Sequence, residues 1–325
     1  MNPACSFLTR LTQKALILIL SAALTGSLTG HLSAYALVGE LCSQFQLHAL
    51  LASLLAAPLL YLLDQKRSLS QNRGAVFLIL ATLISAGLAV APALTLARPA
   101  LPSHPPLARV LFYNVMAVNR NQPAVVQLIE QEQPDIAVLL EGNARWQVST
   151  ERLRGAYPHQ YLLDDAGNFG IILLSRWRLS NISPLKDIDE SGITRLSLLQ
   201  ADVELPGGAL HVIAAHPIPP LSAKLRTLRD QAIKLVNQQV QSQSSPVLLV
   251  GDFNATIWTD TFQTLMHESE LNGATMRPSW PAPLGSFGIG LDQILGAHGL
   301  IIGPVRTGPA QGSDHLARIA DVYVQ

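Results

Sequence analysis

Three long apolar stretches occupy the first third of the chain, at residues 15–38, 46–63 and 75–97. A helix rises about 1.5 Å per residue, so each stretch is long enough to cross a hydrocarbon layer about 30 Å thick, the second only barely. No run of acids or bases inside these stretches marks a transport path. The pattern therefore predicts three transmembrane helices that form an anchor, and the alternative is three buried helices of a soluble protein.

From Arg109 onward the pattern changes to short β-branched and apolar runs separated by turns, which are typical of buried strands. The segment between Pro123 and Pro134 and the segment 221–241 instead have apolar residues at three-and-four spacing, which predicts helices, and a shorter helix is predicted over 259–268. Many strands with few helices predict an α+β fold, in which two sheets form a sandwich covered by helices. The predicted strands are 110–115, 136–140, 169–174, 194–205, 210–215, 247–250, 291–295 and 316–324.

The two patterns meet at a proline-rich segment. Four prolines stand within residues 99–106, and such a segment favours extended polyproline geometry with a rise of about 3.1 Å per residue. We therefore expect three parts: a membrane anchor over residues 1–98, a semi-rigid linker over 99–107, and a folded domain over 108–325.

Basic residues are unevenly distributed around the predicted spans. Arg10 and Lys14 precede the first span and residues 64–74 carry three bases, whereas the loop 39–46 has no base. Basic loops stay on the cytoplasmic side of a membrane. The predicted protein is therefore a multi-pass protein of the cytoplasmic membrane, with its C-terminal domain on the outer face, periplasmic or extracellular.

The composition of the predicted domain excludes some functions. Residues 99–325 carry sixteen bases and twenty acids, a formal charge of −4, and no cysteine. A domain of this charge lacks the broad basic face of a tight, non-specific nucleic-acid binder, although it can still bind a phosphate locally through a metal. The absence of cysteine excludes a disulfide framework and a cysteine metal site in this domain.

Polar residues suited to metal or phosphate chemistry stand at the ends of several predicted strands. Asparagine and aspartate are common turn residues, so any one of these positions alone has an ordinary structural explanation. Strand ends are nevertheless where a sheet presents functional side chains, and the repetition along one chain favours a site. The residues are Asn114, Glu141, His216, Asp252, Asn254, Asp292, Asp314 and His315.

In this order the residues resemble the endonuclease/exonuclease/phosphatase superfamily, which includes DNase I. The most specific motifs are Gly-Asp-Phe-Asn at 251–254 and Ser-Asp-His at 313–315, and the likeness covers about residues 108–325. The resemblance implies a four-layer sandwich of two β-sheets flanked by helices. It also implies hydrolysis of a phosphate ester with a divalent cation, Mg²⁺ or Mn²⁺.

The resemblance further implies a role for each residue at the site. Glu141 is expected to be the principal metal ligand. Asn114 is expected to hold Glu141 or to share the ion, and Asp314 to complete the site or to hold a second ion. Asp252 is expected to activate the water and Asn254 to bind the phosphate, while His315 binds the phosphate or shuttles a proton. Asp292 is expected to orient His315, and His216 to contact the phosphate or protonate the leaving oxygen. Two alternatives for the general base remain open here, namely Asp252 and the Asp292–His315 pair.

The chain departs from the superfamily at two positions. Met116 stands where some nucleases of the superfamily carry an acid, and Gln293 follows Asp292 where other members often have histidine or tyrosine. The first departure weakens a nuclease assignment.

Several functions remain to be compared. The expected substrate is a phosphate ester, which leaves a lipid headgroup, a small phosphoester and a nucleic acid as alternatives. The expected partner is the lipid bilayer, and the sequence gives no sign of an obligate protein partner. A non-catalytic binding module that kept the fold, and a transporter or sensor driven by the spans, are the competing classes.

Overall fold

A computed structural model of the chain describes residues 3–32, 36–63, 73–94, 96, 99–165 and 167–325. The chain divides into two compact units, which are described separately. One unit comprises residues 1–95 with Trp258–Asp260, and the other comprises the remainder.

The first unit is helical. Side chains of three helices pack together, among them Leu16, Leu20, Ala56, Ala57 and Leu60. Apolar side chains also point outward from these helices, and Leu18 is 70 % exposed. Helices that are apolar all round are typical of a membrane span or of a large core. The helices are α1 Pro3–Gly30, α2 Leu37–Ser43, α3 Gln46–Leu63 and α4 Arg73–Leu94.

Two of the three predicted spans have the length and hydropathy that a membrane requires, namely Leu8–Gly30 and Gln46–Leu63. Within the described part of the chain, the apolar part of α4 covers only Val76–Leu88. The first helix ends at Gly30 and not at residue 38, because a turn and the separate helix α2 follow it. Most of the basic loop 64–74 lies outside the described residues, so the orientation of the spans stays a prediction.

The second unit contains two sheets. The first sheet has the order β10-β12-β1-β2-β4-β3, with β11 paired to β12, and the second has the order β5-β6-β7-β8-β9. The first sheet consists of β1 Ala108–Asn114, β2 Ile136–Leu140, β3 His159–Leu163, β4 Ile171–Ser175, β10 Leu300–Ile302, β11 Arg306–Thr307 and β12 Arg318–Val324. The second consists of β5 Leu179–Ile188, β6 Thr194–Leu205, β7 Gly208–Pro217, β8 Val247–Asp252 and β9 Asp292–Ala297.

Alternate residues of the strands build the core between the sheets. Val110 and Phe112 of β1 face Leu248 and Val250 of β8 in one buried cluster. The other face of the first sheet packs against α5 Gln122–Glu132 and α6 Ala144–Thr150. Helix α7 Ala223–Gln241 packs on β6 and β7, and α8 Asp260–Glu268 follows β8. The result is the predicted sandwich of two sheets flanked by helices.

The short elements α2, β10 and β11 were not predicted, and neither were β3, β5 and α6, for which the structure gives a physical reason. Strands β3 and β5 are the edge strands of their sheets, and their residues are partly or largely exposed, so the buried apolar pattern is weak. Helix α6 lies between the predicted strands 136–140 and 169–174, in a segment where the apolar pattern predicted no element. Its start depends on one side chain, since Asn143 Oδ1 accepts hydrogen bonds from the backbone N–H groups of Arg145 and Trp146.

Candidate active site

The candidate site lies where four strands end and two others, β9 and β12, begin. Strands β1 and β2 run parallel in the first sheet, and β7 and β8 run parallel in the second. A hydrogen bond between Asn114 at the end of β1 and Asp252 at the end of β8 shows that these carboxyl ends share one edge of the sandwich. Strand β9 is antiparallel to β8 and begins at this edge, where Asp252 is paired with Asp292.

The polar residues continue the rows of side chains that form the core. Asn114 follows Val110 and Phe112 at the two-residue spacing of a strand, and Asp252 follows Val250 in the same way. Asn114 is 1 % exposed and Asp252 2 % exposed. At the last residue of each strand, the side chains that face the core therefore change from apolar to polar, and these polar side chains are still buried.

The side-chain amide of Asn114 joins the two sheets. Its Nδ2 donates to Glu141 Oε1 and to Asp252 Oδ2, each at 3.2 Å. These two carboxylate oxygens are therefore no more than about 6.4 Å apart, because both lie 3.2 Å from one nitrogen. Asn114 Oδ1 accepts from the backbone N–H of Met116 at 3.1 Å, which fixes the orientation of the amide.

Two site residues have left-handed backbone conformations that non-glycine residues rarely adopt. Glu141 has φ 60° and Asn254 has φ 48°. The turn at Glu141 lets its Oε2 accept from the backbone N–H of Ala117 at 2.9 Å. Such conformations persist where surrounding contacts impose them, and they are concentrated at functional sites.

Asn254 lies beside Asp252 and contacts the end of β7. Its backbone N–H donates to Asp252 Oδ1 at 3.0 Å, and its Nδ2 donates to the carbonyl of Pro217 at 3.1 Å. The amide predicted to bind a phosphoryl oxygen therefore also connects β7 to the turn after β8. Its role toward phosphate stays a prediction.

His315 is held between two carboxylates. Its Nδ1 is 2.7 Å from Asp292 Oδ2, and its Nε2 is 3.6 Å from Asp252 Oδ2. Asp252, Asp292 and His315 offer ligand atoms that all lie within 4.8 Å of one another. The sequence missed Ser279, whose Oγ accepts from the backbone N–H of Asp292 at 3.1 Å, because a lone serine in a loop carries no signal.

The charges of this group shift its pKa values in different directions. Burial and the nearby charge of Asp292 raise the pKa of Asp252 above its usual value. Burial alone would raise the pKa of Asp292, but the charge and hydrogen bond of His315 lower it overall. Burial opposes a charge on His315, yet the two carboxylates raise the pKa of its imidazole to about 10. At neutral pH His315 is therefore an imidazolium.

Asp314, the third predicted metal ligand, has a partner in the loop before β9. Its Oδ2 accepts from the indole Nε1 of Trp280 at 3.0 Å, and its carbonyl accepts from the backbone N–H of Ala282 at 2.7 Å. The carboxylate is only partly buried. In the described part of the chain, no hydrogen bond or ion pair joins Asp314 to Glu141. Its place in a metal site stays a prediction.

His216, at the end of β7, also lies near Asp252. Its Nε2 is 3.9 Å from Asp252 Oδ2, and its ring lies 5.3 Å from the ring of Phe169. The other site residues that the sequence predicted thus lie close together around Asp252. The carboxylate of Asp314 instead contacts the indole of Trp280.

Arg176 and Arg195, two arginines near the predicted strands, have structural partners. Arg176 donates to the carbonyls of Gln133 and Pro134, and Arg195 pairs with Asp187 at 2.6 Å.

The donor set fits a hard divalent cation. Glu141 and Asp252 supply carboxylate oxygens on the two sheets, and Mg²⁺ prefers oxygen ligands while keeping several waters. Asp292 Oδ1 is buried and has no hydrogen-bond partner among the described residues. A buried carboxylate oxygen without a donor is a position that a cation or its bound water satisfies.

An α+β sandwich with a carboxylate pair and an aspartate–histidine pair at one sheet edge defines a scaffold for phosphoester hydrolysis. Residues 111–315 match the sequence model of the Endonuclease/Exonuclease/phosphatase family. The chain belongs to this family. Members of the family hydrolyse phosphoester bonds, so the chain is a hydrolase acting on ester bonds.

Solved structures show the same fold at low sequence identity. An endonuclease/exonuclease/phosphatase from Beutenbergia cavernae is 20 % identical with a TM-score of 0.55, and the match covers 67 % of this chain and 71 % of that one. The human Nocturnin catalytic domain with bound sulfate is 16 % identical with a TM-score of 0.55, covering 68 % and 96 %. D. rerio TDP2 in complex with a single-stranded DNA product is 14 % identical with a TM-score of 0.54, covering 66 % and 98 %. No curated protein sequence gives a significant match.

Proposed function

We propose that the chain is a membrane-tethered phosphoesterase that uses Mg²⁺ or Mn²⁺ to hydrolyse a phosphodiester or phosphomonoester by attack of water. The observation that supports this most directly is the amide of Asn114, which joins the carboxylates of Glu141 and Asp252 at 3.2 Å each. The arrangement brings carboxylates from both sheets to one point, as a cation-dependent hydrolase requires.

In this proposal Glu141 holds the cation, Asn114 orients Glu141, and Asp314 completes the site. The bound cation neutralises phosphate oxygens and lowers the pKa of water. The contact of Asn114 with Asp252 also fixes the position of that carboxylate relative to Glu141.

Asp252 is the group best suited to accept the proton of the attacking water. Its raised pKa makes it a stronger base than an exposed aspartate. His315 already carries a proton at neutral pH, so it cannot take another and instead provides positive charge for a phosphoryl oxygen. Asp292 keeps His315 protonated and oriented. Asn254 and His216 supply further hydrogen-bond donors to the phosphate.

An amphiphilic substrate, such as a lipid headgroup, suits the loops around this edge. Leu221 follows β7 and is 78 % exposed, and Phe287 precedes β9 and is 75 % exposed. Leu284, on the same loop as Phe287, is 54 % exposed. Exposed apolar side chains beside a polar site favour a substrate with an apolar part. A nuclease is the alternative, and the net charge of −4 on residues 99–325 speaks against it.

The test uses the full chain in detergent micelles with Mg²⁺ or Mn²⁺, and three substrates: bis(p-nitrophenyl) phosphate, phospholipid in mixed micelles, and plasmid DNA. We expect hydrolysis that EDTA abolishes, and an Asp252→Asn variant that loses about 10²–10⁴-fold in kcat because the base is gone. Glu270→Gln, on an exposed carboxylate, is the matched control.

The outcomes discriminate between the functions. Cleavage of plasmid DNA alone, abolished by Asp252→Asn, would establish the nuclease. Cleavage of none of the substrates, with no heat of Mg²⁺ or Mn²⁺ binding in calorimetry, would contradict the proposal and favour a non-catalytic module.

We also propose that residues 1–98 anchor the chain in the cytoplasmic membrane, that 99–107 form a linker, and that the catalytic domain 108–325 lies on the outer face. The two apolar helices of sufficient length support the anchor. The end of the linker lies against the domain, because the ring of His104 is 3.0 Å from the carbonyl of Val324.

Cysteine labelling tests this orientation. With Cys5 and Cys42 replaced by alanine, Glu190→Cys is expected to react with a membrane-impermeant maleimide in intact cells. Ser70→Cys, in the loop predicted to lie inside, is expected to react only after lysis. The reverse pattern would place the domain in the cytoplasm.

A further inference from the structure

A row of four polar residues crosses the second sheet at the height of the site. Ser197 is paired with His216 between β6 and β7, and Asp252 is paired with Asp292 between β8 and β9. The pairing of Ala215 with Gly251 in the parallel strands places His216 beside Asp252. Three members of this row belong to the proposed mechanism, and Ser197 is the fourth.

Ser197 faces the same side of the sheet as the other three. The alternate residues of β6 that follow it, Leu199, Ala201 and Val203, all belong to the core between the sheets. Because side chains alternate along a strand, Ser197 points to that inner face as well. It is 0 % exposed, so water does not reach its hydroxyl from outside.

Besides Asp292 Oδ1, two buried polar atoms in this row lack hydrogen-bond partners in the described structure, and they belong to paired residues: Ser197 Oγ and His216 Nδ1. A buried polar atom without a partner costs about 1–3 kcal/mol. Residues directly opposite in antiparallel strands have Cβ atoms about 4.5–5.5 Å apart, so rotation of the serine about one bond directs its hydroxyl toward the imidazole. The ring of Phe169, 5.3 Å from the imidazole, is apolar and offers no hydrogen-bonding group to Nδ1.

We propose that Ser197 is a positioning residue that donates a hydrogen bond to Nδ1 of His216 and thereby fixes the tautomer with the proton on Nε2. This tautomer presents an N–H on the side of Asp252, whose Oδ2 is 3.9 Å from Nε2. It is the form in which His216 can donate a hydrogen bond from Nε2 to a phosphoryl oxygen. The inference rests on the proposed function only in that His216 acts on the substrate.

The two histidines of the site then differ in a defined way. His315 directs Nδ1 to the carboxylate of Asp292, which holds a proton on that nitrogen. His216 Nδ1 has no carboxylate partner among the residues that the structure describes, and in the proposal a serine hydroxyl donates to it instead. In the proposal, therefore, Nδ1 of His315 donates to a carboxylate, whereas Nδ1 of His216 accepts from a hydroxyl.

The first test measures the tautomer and needs no substrate. The full chain, labelled with ¹⁵N in its histidine rings and held in detergent micelles with EDTA, gives ring nitrogen shifts, and His216→Gln identifies the signals of His216. In the wild type we expect an unprotonated Nδ1 and a protonated Nε2. In Ser197→Ala we expect both tautomers. A protonated Nδ1 in the wild type would overturn the inference by itself.

The second test measures turnover of bis(p-nitrophenyl) phosphate. We expect Ser197→Ala to lower kcat by about tenfold or more with little change in KM, as loss of a supporting hydrogen bond at a site does. Ser197→Thr keeps the hydroxyl and is expected to restore most of kcat, whereas Ser197→Val has the same shape without it and is not. Equal kcat values for the threonine and valine variants would contradict the role of the hydroxyl.

Failure of this inference and failure of the proposed function are distinguishable. An inactive wild type with the expected tautomer would refute the phosphoesterase assignment and leave the serine–histidine contact established. An active wild type whose kcat and tautomer are unchanged in Ser197→Ala would do the opposite. If Ser197→Ala does not fold, the wild-type tautomer and the threonine–valine comparison decide.

Discussion

Replacing Asp292 by asparagine is the sharpest test of the electrostatics of the site. Asp292 is 1 % exposed, and its Oδ2 lies 2.7 Å from Nδ1 of His315. The substitution preserves the shape of the side chain and removes its charge. Breaking a buried ion pair by removing one partner costs about 3–5 kcal/mol. The carboxylate of Asp252, 3.6 Å from Nε2 of His315, remains as a partner for the imidazolium. The expected decrease in the free energy of unfolding therefore lies in the lower part of this range.

The pH dependence of stability gives an independent signature of the same pair. In the folded protein the pKa of His315 is raised to about 10 from the ordinary value of 6.5. A raised pKa means that the folded form binds a proton that the unfolded chain releases. The stabilisation is therefore fully present below pH 6.5, and it is lost as the pH rises toward 10. In Asp292→Asn the pKa of His315 falls, so this loss of stability with rising pH is expected to become smaller.

Thermal unfolding of the full chain in detergent with EDTA, followed by the fluorescence of its four tryptophans, measures both the loss of stability in Asp292→Asn and the pH dependence of stability. A change of 1 kcal/mol shifts the Tm of a domain of this size by about 2–4 °C, so a decrease of about 6 °C or more is expected at neutral pH. Glu204→Gln is the control, because the pair of Glu204 with Arg178 is exposed and long, at 3.8 Å. Equal pH slopes for wild type and Asp292→Asn between about pH 7 and pH 10 would refute the reasoning.

Two further substitutions test the site and the packing beneath it. Asn114→Ala removes the amide between the two carboxylates and is expected to weaken Mn²⁺ binding in calorimetry by about 10–100-fold, whereas Asn121→Ala, on an exposed asparagine, should leave it unchanged. Gly170→Ala places a Cβ against the carbonyl oxygen of Gly142 and is expected to destabilise the protein by about 1–3 kcal/mol in thermal unfolding. Gly155→Ala meets nothing and is its control. An unchanged Mn²⁺ affinity in Asn114→Ala would contradict the role of the amide between the carboxylates. An unchanged Tm in Gly170→Ala would contradict the close packing at that glycine.

Much of the fold is readable from local pattern. The strands that end at the site are buried on both faces, so they appear in the sequence as continuous apolar runs such as Val247–Val250. Strands β3 and β5 could not be recognised in this way. They lie at sheet edges, where one side of the strand needs no partner and polar residues are tolerated.

The site illustrates the same division. Asp252 and His315 stand beside strong strands within specific motifs, so the sequence by itself determined which residue types the site contains and at which strand ends they stand. Only the tertiary structure decided that one amide, on Asn114, contacts carboxylates of both sheets, and that Ser197 faces His216. These contacts depend on strand order and register between segments far apart in the chain, and hydrophobic periodicity carries no information about which strands become neighbours.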